Sequence, residues 1–227
     1  MRCLLCQESC RQELSLIDLF LFRNQKNPIC TKCQLQFKKI DSTYCPSCYK
    51  PNQKSICQDC IDWKKKGYLP SHRALYAYDS AMKEYFQKYK FQGDYILKKV
   101  FAKDIENLIK KNYSDYTIVP VPVSQVRLSE RGFNQVSALL DETNCIYQNL
   151  FVRLDDSRQS SKSKKERQIA EGTYYLNQTK ELPQKILIFD DIYTTGNTIV
   201  SLKKNSVAMV ARRLRVSLLH VKTCKFS

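Results

Sequence analysis

The sequence predicts an α/β fold, a largely parallel sheet flanked by helices, preceded by a small domain built on cysteine-ligated zinc. Three observations predict it. Eight cysteines form four C-x-x-C pairs, Cys3/Cys6, Cys30/Cys33, Cys45/Cys48 and Cys57/Cys60, all within the first sixty residues. Beyond them, short apolar runs alternate with amphipathic stretches, the order that builds parallel strands joined by helices. Near the C-terminus, Ile186-Leu187-Ile188-Phe189 leads into Asp190-Asp191-Ile192-Tyr193-Thr194-Thr195-Gly196-Asn197-Thr198, an apolar strand that ends in two acids and a hydroxyl-rich turn.

The opening Met1-Arg2-Cys3 shows no basic segment followed by an apolar stretch, and the apolar run at 14–22 is short and interrupted by Asp18. No secretory signal or membrane span is expected, so the chain is expected in the cytoplasm. Eleven cysteines in such a chain argue for metal rather than disulfides. Each C-x-x-C pair can present two thiolates from one tight turn, and two pairs complete a closed tetrahedral Zn²⁺ site that stabilises the fold and does no chemistry. Sequential pairing would join the first pair with the second and the third with the fourth; a cross-brace would join first with third and second with fourth. The short Cys48-to-Cys57 connection and the turn-forming Pro46 favour the sequential form. Cys10, Cys145 and Cys224 have no such partners and read as small apolar residues.

The cysteines stop before a basic segment punctuated by Gly67 and Pro70, which divides the chain into a zinc-binding part, 1–66, and an α/β part, 67–227. In the second part, 73–78 reads as a strand. Residues 80–91 read as a helix, with Met82, Phe86 and Tyr89 on one face and Lys83, Lys88 and Lys90 elsewhere. Gly93 ends it, and a second helix is expected over 95–111. A buried strand follows at 116–123, a helix at 132–142 and a strand at 144–153. Residues 155–167, dense in Asp, Ser, Lys and Arg with no apolar period, read as a surface loop. A helix through about residue 209 and a last strand at 214–222 follow the acid pair. His72 and His220 are far apart in sequence and read as structural.

The acid-and-threonine run suits a ribose-phosphate. Asp190 and Asp191 can accept hydrogen bonds from vicinal sugar hydroxyls. A helix starting near Gly196 would offer free N–H groups and its positive dipole end to a phosphate, with Thr194, Thr195 and Thr198 adding hydroxyls. The run resembles the 5-phosphoribosyl-1-pyrophosphate (PRPP) motif of type I phosphoribosyltransferases, with Ile192 and Asn197 as mild departures. That resemblance implies a phosphoribosyltransferase-like sheet, sugar hydroxyls on the two acids, and the 5′-phosphate on Thr194, Thr195, Gly196, Asn197 and Thr198. Transfer from such a ligand would need a nucleophile at the anomeric carbon and Mg²⁺ on the pyrophosphate. Arg127 and Arg131, just beyond Val119-Pro120-Val121-Pro122, are candidates for pyrophosphate or a DNA backbone, as are Lys165 and Arg167 in the basic loop.

The formal charge is +16, of which residues 71–227 carry +10. Two zinc ions on eight thiolates would lower the whole to +12. A basic α/β part favours polyanions, nucleic acid first. Lysines interleaved with Tyr85, Phe86, Tyr89, Phe91 and Tyr95 fit single-strand binding, although helical spacing assigns Phe86 and Tyr89 to a core.

Four cysteine pairs, Lys88-Tyr89-Lys90-Phe91-Gln92-Gly93-Asp94, Val119-Pro120-Val121-Pro122, Arg131-Gly132-Phe133-Asn134-Gln135 and the PRPP-like run together resemble the ComF (ComFC) family of competence proteins over nearly the whole chain. The resemblance implies handling of incoming single-stranded DNA in natural transformation, beside the family's helicase-like ATPase, ComFA. That role would bring a cytoplasmic protein to the inner face of the membrane. The competing expectations are an active phosphoribosyltransferase of nucleobase salvage and a zinc-ribbon adaptor without small-molecule chemistry.

Overall fold

The computed structural model describes residues 1–10, 27–40, 42–153, 174–177, 183–193, 202 and 213–222. Along the chain run α1 (Thr31–Gln34), α2 (Gln58–Lys65), β1 (His72–Tyr78), α3 (Ser80–Phe91), a 3₁₀ helix (Tyr95–Phe101), α4 (Ala102–Asn112), β2 (Thr117–Pro120) and α5 (Gln125–Arg131). Then come α6 (Gln135–Asp141), β3 (Phe151–Arg153), β4 (Tyr174–Leu176), β5 (Lys185–Tyr193) and β6 (Arg213–Lys222). Four strands form a parallel sheet in the order β1-β6-β5-β2, and β3 and β4 form a separate antiparallel pair. Among the described residues no helix is long and apolar enough to cross a membrane.

β5 explains why the sequence here must be continuously apolar. It pairs with β2 on one side and β6 on the other, and successive side chains enter different cores. Leu187 and Phe189 join the aromatic core with Tyr85, Tyr89, Phe101 and Leu139. Ile186 and Ile188 join a second core with Val119, Leu150, Phe151 and Leu202. A strand covered on both faces needs apolar residues at every position, not at alternate ones. Leu202, helical and fully buried, is the one described residue of the helix expected after the acid pair.

The cysteine-bearing N-terminal residues grip the open edge of this sheet. Lys39 bridges Tyr76 of β1 in antiparallel fashion; Ile40 N–H donates to the Leu75 carbonyl (3.0 Å) and Ala77 N–H to that of Lys38 (2.9 Å). On one side of this added strand Cys3, Cys33 and Phe37 enter the aromatic core, where the Phe37 ring meets Phe101 edge-on at 4.9 Å. On the other, Cys45, Cys48, Cys57 and Cys60 pack with Ala74, Ile186 and Ile188. An edge strand left bare would template aggregation, and this one is covered.

Several boundaries differ from the sequence expectation. The helix expected over 95–111 is a 3₁₀ turn and then α4, because Tyr85 donates its hydroxyl to the Leu97 carbonyl (3.0 Å) while Leu97, Val100 and Phe101 bury together. The strand expected over 116–123 stops at Pro120. Val121 N–H still reaches the Phe189 carbonyl (2.9 Å), but Pro122 has no N–H to continue the ladder. α5 was not visible in the sequence because none of its residues is buried. The strand expected over 144–153 reduces to a bridge at Tyr147 and the three residues of β3. The loop at 155–167 lies outside the described residues.

Candidate functional site

The four C-x-x-C pairs assemble sequentially into two tetrads, Cys3/Cys6/Cys30/Cys33 and Cys45/Cys48/Cys57/Cys60, each with its sulfurs within 4.8 Å of one another. Both use the same local construction. The first pair of each closes a knuckle: Gln7 N–H donates to the Cys3 carbonyl (3.0 Å) and Tyr49 N–H to that of Cys45 (2.9 Å), with Gln7 and Tyr49 both left-handed at φ 62° and 61°. The second pair opens a helix, Cys30 at the start of α1 and Cys57 at the start of α2, with nearly identical extended backbones.

These donors fit zinc. Sγ separations of 3.8 Å (Cys6 to Cys30), 3.9 Å (Cys45 to Cys60) and 3.6 Å (Cys48 to Cys57) match the edge of about 3.8 Å that Zn–S bonds of about 2.3 Å give a tetrahedron. Main-chain N–H groups of Leu5 and Cys30 point at Cys3 Sγ (3.4 and 3.3 Å), and that of Cys57 at Cys45 Sγ (3.4 Å), as thiolate ligands require. Burial opposes a charge on Cys3, yet the main-chain N–H groups of Cys6, Cys30 and Leu5 outweigh it and bring the thiol down to about 6, while burial and then Cys30 push the Cys33 thiol up. With all four ligands thiolate and no place for a substrate, a zinc ion held there would supply folding energy. The second tetrad is wholly buried, whereas Cys6 of the first is exposed. Of the remaining cysteines, Cys10 and Cys145 are half-buried. Cys224 lies outside the described residues.

The acid pair sits where β2 has ended. The β2 ladder stops at Phe189, while β5 continues through Asp190 and Asp191 to Tyr193 with β6 as its neighbour. The strand thus outruns the expected 186–189 and carries the acids within it. Both acids are buried, and the Asp191 N–H donates to Asp190 Oδ1 (2.8 Å). Asp191 Oδ2 forms an ion pair with Lys90 Nζ from the last turn of α3, and both side chains are less than a tenth exposed. The Lys90 ammonium also lies 4.5 Å from the centre of the Phe86 ring, one turn back. Burial, and then the charge of Asp191, push the Asp190 carboxyl well above the usual carboxylate range. The site therefore presents one carboxylate balanced by a lysine and one carboxyl inclined to keep its proton. That combination can both donate to and accept from a vicinal diol.

A raised folded-state pKa has a stability consequence of definite sign. Above the ordinary carboxylate range, the folded chain holds a proton at Asp190 that the unfolded chain has released, so stability falls as pH rises towards the folded value. Asp190→Asn is expected to remove that slope and leave the fold at least as stable at neutral pH. Urea denaturation across the pH range checks this; a variant less stable than its parent at every pH would contradict it.

Lys90 is the residue that sequence reading missed. Helical periodicity put it off the apolar face with Lys88, and Lys88 does pair at the surface with Glu84 (2.9 Å). Lys90 instead lies where the helix end passes over the acids, and only an assembled sheet reveals that. Tyr85, Phe86 and Tyr89 are buried in the core, while Phe91 and Tyr95 are exposed.

The Arg131-Gly132-Phe133-Asn134-Gln135 stretch is a joint. Gly132, at φ 75°, ends α5 in the left-handed conformation that favours glycine. Asn134 accepts from Val136 N–H (2.9 Å) to start α6, and its Nδ2 donates to the Val121 carbonyl (3.3 Å), tying the helix to the loop beyond β2. Gln135 is buried; its side-chain oxygen accepts from Arg131 (2.8 Å) and its carbonyl from the Tyr89 hydroxyl (2.9 Å). The Arg131 guanidinium lies 5.4 Å from the centre of the Phe91 ring. Burial first, then neighbouring Arg127, lower its pKa, while Asp191 acts to raise it. Arg127, Arg131 and Asp191 thus share one electrostatic neighbourhood. Thr194, Thr195, Gly196, Asn197, Thr198, Lys165 and Arg167 lie outside the described residues.

Fold and site define a mixed α/β protein with a parallel sheet, a buried acid pair beyond the end of β2, and two cysteine tetrads that could bind zinc. No protein-family profile matches the chain. Among curated proteins it is 40% identical over 204 residues to competence protein ComFC of Streptococcus pneumoniae, covering 90% of this chain and 92% of that one. It is 32% identical to ComFC of Bacillus subtilis, covering 87% and 85%, and 25% identical to competence protein F of Haemophilus influenzae, covering 86% and 89%. The chain belongs to the ComFC family of competence proteins.

Proposed function

We propose that this chain serves natural transformation by handling single-stranded DNA, with a phosphoribosyl ligand held at Asp190 and Asp191 of a phosphoribosyltransferase-like fold. Family membership supports the biological setting, since the relatives are named as competence proteins. The helicase-like ATPase ComFA is the partner this setting implies, and the inner face of the membrane the place. The single observation that carries the chemical reading is the buried acid pair balanced by Lys90.

The two acids would take the 2′- and 3′-hydroxyls, and Thr194, Thr195, Gly196, Asn197 and Thr198 the 5′-phosphate. Arg127 and Arg131 would meet the pyrophosphate, with Lys165 and Arg167 closing from the loop. With one acid paired to Lys90 and the other favouring its neutral form, the pair itself offers little to a divalent cation. Any Mg²⁺ would arrive with the pyrophosphate of the ligand. An internal deoxyribose has neither hydroxyl, so the pair suits a free ribose-phosphate better than a nucleotide within a DNA strand. Residues 1–66 would act as a metal-stapled clamp on the sheet of 67–227.

Calorimetric titration with PRPP tests the reading. Asp191→Asn is expected to weaken binding at least about tenfold, the loss of one or two charge-assisted hydrogen bonds, and Asp190→Asn severalfold, the loss of a neutral one. Unchanged affinity in both variants would sink it. Pyrophosphate release with a free nucleobase in the parent protein would move the conclusion to salvage.

A further inference from the structure

At the end of the sheet opposite the acid pair is a cavity of about 380 Å³ that neither the PRPP reading nor the metal sites use. It lies where the second cysteine knuckle meets the start of β1 and the turn between α4 and β2. Its walls include Tyr49, His72, Arg73, Asn112, Tyr113 and Tyr116, and among the described residues no acidic one lines it.

The wall residues are held in place. Tyr49 follows the Cys45/Cys48 knuckle in its left-handed conformation, and its ring stacks on Tyr44 at 4.2 Å between centroids. Arg73, on β1, donates to the Asn112 side chain at the end of α4 and places its guanidinium 5.7 Å from the centre of the Tyr49 ring. Tyr113 and Tyr116 meet edge to face at 5.5 Å across the turn into β2, and Lys185, ion-paired with Asp115, lies 5.9 Å from the Tyr116 ring. His72 brings a buried imidazole, its main-chain N–H bonded to the Ser47 carbonyl (3.0 Å).

We infer that this cavity is a nucleotide-binding site, in which a base stacks against the tyrosine rings and its phosphate meets Arg73. Three aromatic rings and a guanidinium, with no carboxylate among the described lining residues, suit a ligand that is both planar and anionic. The size fits one nucleotide, and a cleft between two parts of a fold is where small ligands settle. A nucleotide within a strand and a free mononucleotide share this chemistry. The inference extends the nucleic-acid reading but does not need the acid pair. It supplies the strand contact that a pocket built for a vicinal diol does not.

The test uses the full-length, zinc-loaded protein. Anisotropy of a short labelled oligothymidylate, with thymidine monophosphate as competitor, reads affinity, and an iodouracil-bearing strand crosslinked under light reads position. Arg73→Ala and Tyr116→Ala are each expected to weaken strand binding about tenfold, and Arg73→Ala also to reduce the salt slope by about one. Crosslinks on the parent protein are expected at Tyr49, Tyr113 or Tyr116. Competition by the mononucleotide would identify free nucleotides as ligands too; strand binding without it would assign the cavity to the strand. Crosslinks confined to Phe91 or Tyr95, or full affinity in both variants, would overturn the inference. A parent protein that fails to bind PRPP yet crosslinks through these tyrosines would sink the acid-pair reading and leave this one standing.

Discussion

Lys90→Met is expected to destabilise the chain by about 3–5 kcal/mol, the cost of leaving a buried carboxylate without its partner. The Lys90 and Asp191 side chains are 9% and 6% exposed, so neither water nor salt can replace the pairing. Methionine keeps the length of the lysine stem and its contact with Phe86, so the loss isolates the charge rather than a cavity. Adding Asp191→Asn to the same chain is expected to recover most of the lost stability, because the stranded charge is then gone. Urea denaturation of the parent, both single variants and the double variant closes the cycle. A Lys90→Met midpoint equal to that of the parent would mean that the ion pair contributes nothing.

Cys48→Ser is expected to be more severe, abolishing cooperative unfolding altogether. A structural zinc site of this kind contributes about 10–16 kcal/mol to folding, as much as the whole stability of an ordinary domain. Its ligand set is buried beside Ala74, Val119, Ile186 and Ile188, so losing the site opens the core under β5. Cys6→Ser is expected to be milder, since Cys6 is exposed and the cluster around Cys3 and Cys33 retains Phe37 and its aromatic partners. Zinc content by a colorimetric chelator and thermal unfolding of both variants measure the difference. A Cys48→Ser protein that keeps both metals and melts with its parent would contradict structural zinc.

Much of the site was legible because its chemistry is local. Cysteines with two residues between them declare a knuckle whatever surrounds them, and four apolar residues before two aspartates declare a strand covered on both faces. The pairing of the knuckles could be favoured only from one loop length and the turn-forming Pro46, since thiolates from distant pairs meet by folding and not by spacing. Helix α5 escaped for the opposite reason: with no buried residue it leaves no apolar period to read. The role of Arg131-Gly132-Phe133-Asn134-Gln135 was visible as a pattern but not as a joint, because its contacts run to Val121 and Tyr89, which are near only in space.

The order of residues alone determined that this chain would offer paired thiols able to bind metal, build a parallel sheet and carry two acids near the end of a central strand. Each is set by short-range periodicity, spacing and residue type. Only the assembled fold decided that the cysteine-bearing residues clasp the sheet edge from both sides and that Lys90 lies against Asp191 in the interior. It likewise decided that three tyrosines and Arg73 enclose a cavity at the far end. Those outcomes depend on which helix end passes over which strand, and non-local packing writes no period into a sequence.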